Sequence, residues 1–318
     1  MPVMEASEEA IGEAARAIAA GEIVAFPTET VYGLGADALN GNAVAKVFAA
    51  KERPRFNPLI VLVGSLEEAE SYAVVTDAAR KLAAAFWPGP LSLVLKRRVP
   101  CAVTELVSAG LDTIALRAPG HPVTLGLLAA AKRPIVAPSA NRSGHISPTT
   151  AAQVEAELGE RPALILDGGP SPVGVESTVV GLDGDEPALL RSGAVPREDV
   201  EAVLGAKLRI AETAAPTQAA NRFTLRAKLR MEAGDPQPGE ALLAFGPDAP
   251  RFAGPTRNLS AGGDLNEAAA NLFNALRELE ATGVGVIAVM TIPEHGLGAA
   301  INDRLRRVAH AGLSLIHI

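Results

Sequence analysis

Residues 24–63 read VAFPTETVYGLGADALNGNAVAKVFAAKERPRFNPLIVLV and decide the fold of this chain. The stretch is bounded by short apolar runs, residues 23–26 and 59–63, which are typical of strands in a buried sheet. Between them we predict a turn-rich loop over residues 27–35, followed by a helix that leads to Lys51. Open α/β sheets bind ligands in loops beyond the carboxyl ends of their strands. The stretch therefore predicts a ligand site in an α/β sheet.

Two cations follow the predicted helix. Val44, Val47 and Lys51 share one helix face by their spacing, so Lys51 is aligned with the apolar side. Taken alone, Lys51 is read as a lysine that covers the core with its stem and keeps its amine in water. However, Pro54 disfavours helical geometry at Arg53, so both cations lie where the helix gives way to extended chain. Such a pair suits a phosphate chain or a carboxylate.

Length and composition bound the class of protein. The 318 residues suffice for one large or two ordinary domains, and a hydrophobic content of 48% allows a sizeable core. A net charge of −7 argues against broad, sequence-independent attraction to nucleic acid. Cys101 is the single cysteine, which excludes an intrachain disulfide and a thiolate metal site and fits a cytoplasmic protein. We find neither a signal-peptide pattern nor a membrane-crossing apolar run, so no membrane partner is expected.

The chain divides into two α/β parts. Helix-period segments alternate with short apolar runs up to about residue 205, and a second βαβα pattern begins near residue 240. The segment between them lacks periodicity but carries a basic run. Because of these charges we also expect weak RNA binding. The predicted division is 1–205 for the larger domain, 206–239 for a linker, 240–311 for the small domain, and 312–318 for an apolar tail, either native or an artefact of the gene sequence.

Arg117 is the most unusual charged residue in the predicted strands. It lies in the run TIALRA, where it shares a face with Thr113 and Ala115 by strand alternation. Because burying an unpaired charge is costly, Arg117 either lies in water on an edge strand or has a buried partner. The residues alone leave both readings open.

Several familiar motifs are missing from the polar loops. There is no Walker-type glycine loop, Gly33 and Gly35 lack the third glycine of a dinucleotide fingerprint, and Ser139 is not in a G-x-S-x-G elbow. No carboxylate cluster suggests a protein-bound metal, so magnesium would arrive with phosphates. The loops that remain are rich in hydroxyl, amide and cationic groups. They predict a ligand with phosphate and carboxylate groups.

Four motifs then occur in a characteristic order. They are residues 27–35 (PTETVYGLG), Lys51-x-Arg53-Pro54 with Asn57-Pro58-Leu59, Ser139-x-Asn141, and Glu176-Ser177-Thr178-Val179. With these motifs the chain resembles the YrdC-like threonylcarbamoyl-AMP synthases over residues 8–205, and its second domain resembles that of the longer members. The resemblance implies a twisted open α/β sheet with flanking helices, followed by a small α/β, Rossmann-like domain.

The resemblance implies an enzyme of tRNA modification. Members condense L-threonine, bicarbonate and ATP, with Mg²⁺, into threonylcarbamoyl-AMP and release pyrophosphate. Partner proteins then move the threonylcarbamoyl group onto an adenosine beside the tRNA anticodon. Catalysis of this kind is mostly positioning and stabilisation of developing charge.

The resemblance also assigns roles to residues of this chain. Lys51 and Arg53 would face the triphosphate and the developing charge as catalytic residues. The threonine would be held by Thr30, Arg117, Ala137 and Ser177, with Arg117 taking its carboxylate. The ATP site would be lined by Arg53, Asn57, Thr113, Ser139, Asn141, Ser147 and Arg191.

The chain departs from the family pattern at two places. Many members carry a histidine near the threonine where this chain has Leu62. The longer members carry His-Tyr-Ala-Pro in a linker that folds over the site, where this chain has Arg222-Phe223-Thr224-Leu225. Phe223 keeps an aromatic ring that could stack there, but the hydrogen bonds of the histidine and tyrosine are lost.

Two other functions compete with synthesis. The same cation-lined surface could bind RNA without chemistry, although an aromatic content of 3% offers few stacking platforms for single strands. A carbamoyl transferase resembling the hydrogenase-maturation proteins would need a zinc-finger module, which a chain with one cysteine cannot supply.

Overall fold

Two sheets form the centres of two domains. The computed structural model describes residues 2–210 and 223–311. The helices are α1 Glu8–Ala19, α2 Gly41–Ala50, α3 Leu66–Ala69, α4 Asp77–Phe86, α5 Glu105–Ser108, α6 Pro122–Ala131, α7 Ala151–Leu158, α8 Arg197–Leu204, α9 Leu265–Ala281 and α10 Leu297–Ala311. The strands are β1 Val3–Glu5, β2 Val24–Phe26, β3 Gly33–Asp37, β4 Ile60–Leu62, β5 Leu91–Lys96, β6 Thr113–Arg117, β7 Ile135–Val136, β8 Leu164–Asp167, β9 Thr178–Gly181, β10 Ala188–Arg191, β11 Arg209–Ile210, β12 Lys228–Arg230, β13 Ala241–Ala244, β14 Thr256–Asn258 and β15 Val286–Val289.

The large sheet has eleven strands in the order β1-β8-β2-β3-β7-β4-β6-β5-β9-β10-β11. The sheet is mixed, with parallel pairs such as β4 with β6 and antiparallel pairs such as β5 with β6. Helices cover both faces: α1 and α6 pack over a core with Ile18 and Leu127, and α2 and α4 lie over another with Val44 and Leu82. The mixed, helix-flanked sheet confirms the predicted fold class.

Side-chain caps explain where several helices begin. Ser7, Asn40 and Thr150 each accept a hydrogen bond from a backbone N–H in the first turn of the helix that follows. Such caps satisfy N–H groups that have no partner within the helix. These caps explain why the helices begin at Glu8, Gly41 and Ala151.

The prediction of a loop over residues 27–35 is wrong at its end, because β3 begins at Gly33. This strand pairs antiparallel with β2 and then with β7. A Cβ at Gly35 would lie 2.4 Å from Cε1 of Phe26, so the ring of the neighbouring strand fills the space that a side chain would need. Glycine is rare in strands, and the pattern predicts a turn unless the partner strand is known.

The small domain has a parallel sheet in the order β12-β15-β13-β14. Its core combines residues of the sheet with α9 and α10, including Leu243, Leu272 and Leu305. The range 206–239, expected to be a linker, contains β11, which joins the large sheet, and β12, which joins the small one. These strands of two and three residues are too short to show a strand period. In the described parts of the chain, no helix has the length and apolar character needed to span a membrane.

Candidate functional site

A cleft lies where segments that are distant in the chain meet. Its walls are the loop after β2, strands β4 and β6, the segment after β7, the start of β9, and the end of β10. Seven of the residues to which the family resemblance assigns a role line this cleft: Thr30, Arg53, Arg117, Ala137, Ser139, Ser177 and Arg191. The other five, Lys51, Asn57, Thr113, Asn141 and Ser147, lie behind or beyond these walls.

Arg117 is a buried cation with several partners. It ends β6, is only 5% exposed, and its Nη2 lies 2.7 Å from Oε1 of Glu29. Its guanidinium also donates to Oγ1 of Thr30 at 3.1 Å and to the carbonyl of Gly89 at 3.1 Å. Burial would raise the pKa of Glu29, but the charge and hydrogen bond of Arg117 outweigh it, so the pKa is lowered. Of the two readings that the sequence leaves open, the buried and paired one is correct.

Lys51 holds the loop that follows β7. It caps the C-terminus of α2, is 1% exposed, and its Nζ donates to the carbonyls of Ser139 and Asn141 at 2.5 Å each. Burial lowers the pKa of Lys51 well below its ordinary value, and the charge of Arg53 adds to this effect. The reading that leaves the amine of Lys51 in water is therefore wrong. The end of α2 lies against the loop after β7, and two carbonyls of that loop accept hydrogen bonds from the amine.

Arg53 lines the cleft beside the chain that enters β4. Its Nη2 donates to the carbonyl of Pro58 at 3.1 Å and its Nε to the carbonyl of Asn57 at 3.4 Å, so it runs along the chain that enters β4. Burial lowers the pKa of Arg53 to about 10, which leaves the guanidinium charged at neutral pH. Arg53 thus brings a permanent cation to the wall of the cleft.

Asn57 and Thr113 lie towards the other end of β4 and β6 from Arg117. These strands are parallel, with Ile60 opposite Ala115, and the same register puts Asn57 near the start of β6. Thr113 and Arg117 are the first and last residues of β6, four residue steps and about 13 Å apart. Asn57 is buried, and its Oδ1 has no hydrogen-bond partner among the described residues.

The loop after β7 presents buried polar groups. The amide of Asn141 donates to the carbonyls of Arg142 and His145 at 2.8 and 2.7 Å, while its Oδ1 finds no partner within the described chain. Further along, Oγ of Ser147 donates to Oε1 of Glu176 at 2.8 Å. The loop is thereby fixed at both ends, with one amide oxygen left to accept a hydrogen bond.

Ser177 and Arg191 form the wall opposite. The Nε of Arg191 donates to the carbonyl of Ser177 at 2.9 Å, and its Nη2 to the hydroxyl of the same residue at 2.8 Å. Oγ of Ser92 lies 2.8 Å from Oγ of Ser177. Burial lowers the pKa of Arg191 to about 9, against the opposing charge of Glu176. The wall therefore also presents a guanidinium that is charged at neutral pH.

Both domains match known families. Residues 16–193 match the family model of Sua5, YciO and YrdC, described as "Telomere recombination", and residues 197–310 match the model described as "Threonylcarbamoyl-AMP synthase, C-terminal domain". A Pyrococcus abyssi protein named threonylcarbamoyl-AMP synthase is 41% identical over 93% of each chain. The chain belongs to the YrdC-like threonylcarbamoyl-AMP synthase family, in its two-domain form. A Bacillus subtilis relative of the same name is 37% identical, over 96% of this chain and 94% of its own.

Solved structures of this synthase family agree with the fold. The structure described as P. abyssi Sua5 complexed with L-threonine has a TM-score of 0.87 and 38% identity, covering 96% of this chain and 95% of that one. Full-length HypF, in a phosphate- and nucleotide-bound form, has a TM-score of 0.53 at 23% identity, over 62% of this chain and 31% of its own. The similarity to HypF shows a shared fold and nothing more.

The two departures from the synthase pattern lie in different surroundings. Leu62 is buried and lines the cleft with an apolar side chain. Arg222 lies outside the described residues, whereas Phe223 is 5% exposed and meets the ring of Phe273 edge-on at 5.7 Å. The Phe223 ring thus packs in the core of the small domain, and Thr224 donates its backbone N–H to the carbonyl of Gly144 at 2.9 Å.

Sequence reasoning missed three charged residues of this synthase site. Glu29 pairs with Arg117, Glu176 accepts from Ser147, and Arg304 of α10 donates to Oε2 of Glu176 at 2.8 Å. Glu29 and Glu176 stand within the quoted motifs, and that position was a usable signal. Arg304 lies in another domain, and no local pattern connects it to the cleft.

Proposed function

We propose that this chain makes threonylcarbamoyl-AMP and pyrophosphate from L-threonine, bicarbonate and ATP, for threonylcarbamoyladenosine modification of tRNA. The observation that carries the proposal is the buried Arg117 at one end of a cleft whose walls also hold Arg53 and Arg191. An amino acid and a nucleotide both bring anionic oxygens, and buried guanidinium groups are the side chains that recognise them best.

Threonine would bind at the Arg117 end of the cleft. There the guanidinium would take the carboxylate in exchange for part of its contact with Glu29, and the hydroxyls of Thr30 and Ser177 lie within the same walls. The backbone at Ala137 closes the pocket beside them. The carboxylate, amine and hydroxyl of threonine would each find a polar partner there, which supports an amino acid as the ligand.

ATP would extend from Arg53 towards Asn57 and Thr113. The roughly 13 Å between Thr113 and Arg117 leaves room for a nucleotide beside an amino acid along the same two strands. The buried Oδ1 atoms of Asn57 and Asn141 have no donor within the described residues, and base or ribose groups of the nucleotide could satisfy them. Ser139 and Ser147 would add hydroxyls, and Arg191 a charge.

The reaction needs no covalent intermediate with the protein. The threonine amine takes up the carbon of bicarbonate with loss of water and becomes a carbamate. A carbamate oxygen attacks the α-phosphorus of ATP, the bond to the β-phosphate oxygen breaks, and pyrophosphate leaves. Arg53 would stabilise the developing charge, while Lys51 would hold the Ser139 and Asn141 carbonyls in place. Positioning and fixed cations of this kind supply most of the rate in phosphoryl chemistry.

Magnesium would reach the site on the phosphates of ATP. Within the described residues, no group of three or more His, Cys, Asp or Glu side chains is placed to hold a metal ion. Mg²⁺ is commonly bound through substrate phosphates with a few protein oxygens. When bound, it would neutralise charge on the leaving pyrophosphate.

The product would serve partner proteins. Threonylcarbamoyl-AMP is a mixed anhydride, so a transferase that presents the tRNA adenosine must consume it. We place this work in the cytoplasm, where ATP, threonine and tRNA meet. Basic residues such as Arg226 and Lys228 add weak RNA binding to the proposal.

Omission of single substrates tests this function. With threonine, bicarbonate, ATP and Mg²⁺ all present, we expect release of pyrophosphate, and removing threonine or bicarbonate should reduce it to background. Release that needs neither would contradict the proposal. A salt-sensitive affinity for RNA without ATP turnover would favour the RNA-binding alternative instead.

A further inference from the structure

Arg304 reaches from the small domain into the wall of the cleft. Its side chain is 4% exposed, and its Nε donates to Oε2 of Glu176 at 2.8 Å. Its Nη1 donates to the carbonyl of Ser192, which follows Arg191, at 2.8 Å, and to the carbonyl of Ala300 in its own helix at 2.9 Å. One guanidinium therefore ties α10 to two segments of the larger domain.

Glu176 is held from both sides. Its Oε2 accepts from Arg304 and its Oε1 from Ser147, at 2.8 Å each, so the carboxylate bridges the small domain and the loop after β7. Burial would raise the pKa of Glu176, but the charges of Arg304 and Arg191 and the hydrogen bond from Ser147 lower it to about 2. The carboxylate is thus an anion at neutral pH with its position fixed by its partners.

The contact between the domains is close around this point. Val31, Ile146 and Val175 of the larger domain share one apolar cluster with α9 residues such as Phe273. A Cβ at Gly174 would lie 2.5 Å from the carbonyl oxygen of Ala269, and Gly174 has a φ of 77°. The backbone of the Glu176 loop therefore runs directly against helix α9. The small domain is packed onto the segments that carry the cleft.

We propose that Arg304 is a positioning residue for the nucleotide half of the site. By holding Glu176, it keeps the hydroxyl of Ser147 oriented behind the wall and limits the attraction between the Glu176 carboxylate and the Arg191 guanidinium. This inference rests on the proposed function, because Ser147 and Arg191 are expected to contact ATP. In the described structure Arg304 makes no hydrogen bond to Arg117 or Thr30, and it reaches Ser177 only indirectly, because the Ser192 carbonyl that it holds follows Arg191, which hydrogen-bonds to Ser177. Loss of Arg304 should therefore weaken ATP use more than threonine binding.

The test compares Arg304→Met with the exposed control Arg306→Ala from the same helix. For Arg304→Met we expect the KM for ATP to rise by at least about tenfold, as for loss of a hydrogen bond to a charged group, with a much smaller change in the Kd for threonine. Arg304→Lys, which keeps the charge, should recover part of the loss. The double variant with Glu176→Gln should be less than additive, because both changes break one contact.

The possible outcomes distinguish a failure of the proposed function from a failure of the role given to Arg304. If the wild type releases no threonine-dependent pyrophosphate, the proposed function fails. If the wild type is active and Arg304→Met leaves the KM for ATP unchanged, only the role of Arg304 is overturned. If both KM for ATP and Kd for threonine worsen equally, Arg304 merely docks the domain, and the positioning role is again overturned. Should Arg304→Met not fold, Arg304→Lys and Glu176→Gln carry the same comparison.

Discussion

Nη2 of Arg117 lies 2.7 Å from Oε1 of Glu29, and this ion pair is buried at the end of the cleft. The carboxylate of Glu29 stands where a ligand carboxylate would compete for the same guanidinium. Oε2 of Glu29 has no hydrogen-bond partner among the described residues. The pair thus orients Arg117 before substrate binds, and it links the threonine site to the loop that carries Thr30.

Arg117→Ala should abolish effective threonine binding. The change removes the proposed carboxylate partner and leaves Glu29 as a buried charge without its cation. Truncating one member of such a pair costs about 2–5 kcal/mol, so kcat/KM for threonine should fall at least about 30-fold. Pyrophosphate release measured against threonine concentration checks this, with the exposed Arg80→Ala as control. Kinetics like those of the wild type would remove Arg117 from the site.

Lys51→Met should weaken both the fold and nucleotide use. Two carbonyls, of Ser139 and Asn141, would lose their donor, and each unsatisfied buried group costs about 1–3 kcal/mol. We expect the free energy of unfolding in urea to fall by about 2–4 kcal/mol and the KM for ATP to rise. Lys46→Met, from the exposed side of the same helix, is the matched control. Equal urea midpoints for the two variants would contradict the role given to Lys51.

The charge of Glu176 should make stability depend on acid pH. Its folded-state pKa of about 2 lies below the ordinary value of 4.5. The stabilisation is therefore fully present above about pH 4.5 and is lost as pH falls towards 2. By linkage it amounts to about 3 kcal/mol. The unfolding free energies of wild type and Glu176→Gln, measured at pH 6 and pH 3, should converge at the lower pH. If the difference in unfolding free energy between the two proteins is the same at pH 6 and pH 3, the ionised Glu176 carboxylate does not stabilise the fold.

Phe223→Ala should destabilise the small domain. The ring is buried and packs edge-on against Phe273, and truncating a buried phenylalanine costs about 3–5 kcal/mol. Because this cluster also contains Val31 and Ile146, the change should loosen the contact between the domains as well. Thermal unfolding checks this against Phe56→Ala, whose ring is 65% exposed. Equal melting temperatures of the two variants would oppose it.

The sequence predicts regular elements well and short ones poorly. Helix α1 has an apolar face that includes Ala14 and Ile18, and Ser7 caps its first turn, so the local sequence is enough to place it. Strand β3 was missed because its two glycines predict a turn, and only the ring of Phe26 explains them. Strand β12 was missed because three residues cannot establish a period.

The site was predictable where its residues share local motifs. The segments carrying Thr30, Arg53, Ser139 and Ser177 are short, polar and placed at strand ends. Their side chains therefore predict an anionic ligand before the fold is known. Contacts between distant segments, such as Arg304 with Glu176, depend on how the domains pack. Nothing in the neighbourhood of either residue encodes that pairing.

A crystal structure with L-threonine and a non-hydrolysable ATP analogue tests the central claim most directly. The account predicts the threonine carboxylate on Arg117, with Glu29 displaced or sharing that guanidinium, and the nucleotide running past Arg53 towards Asn57 and Thr113. Threonine bound away from Arg117, or a nucleotide outside this cleft, would contradict it.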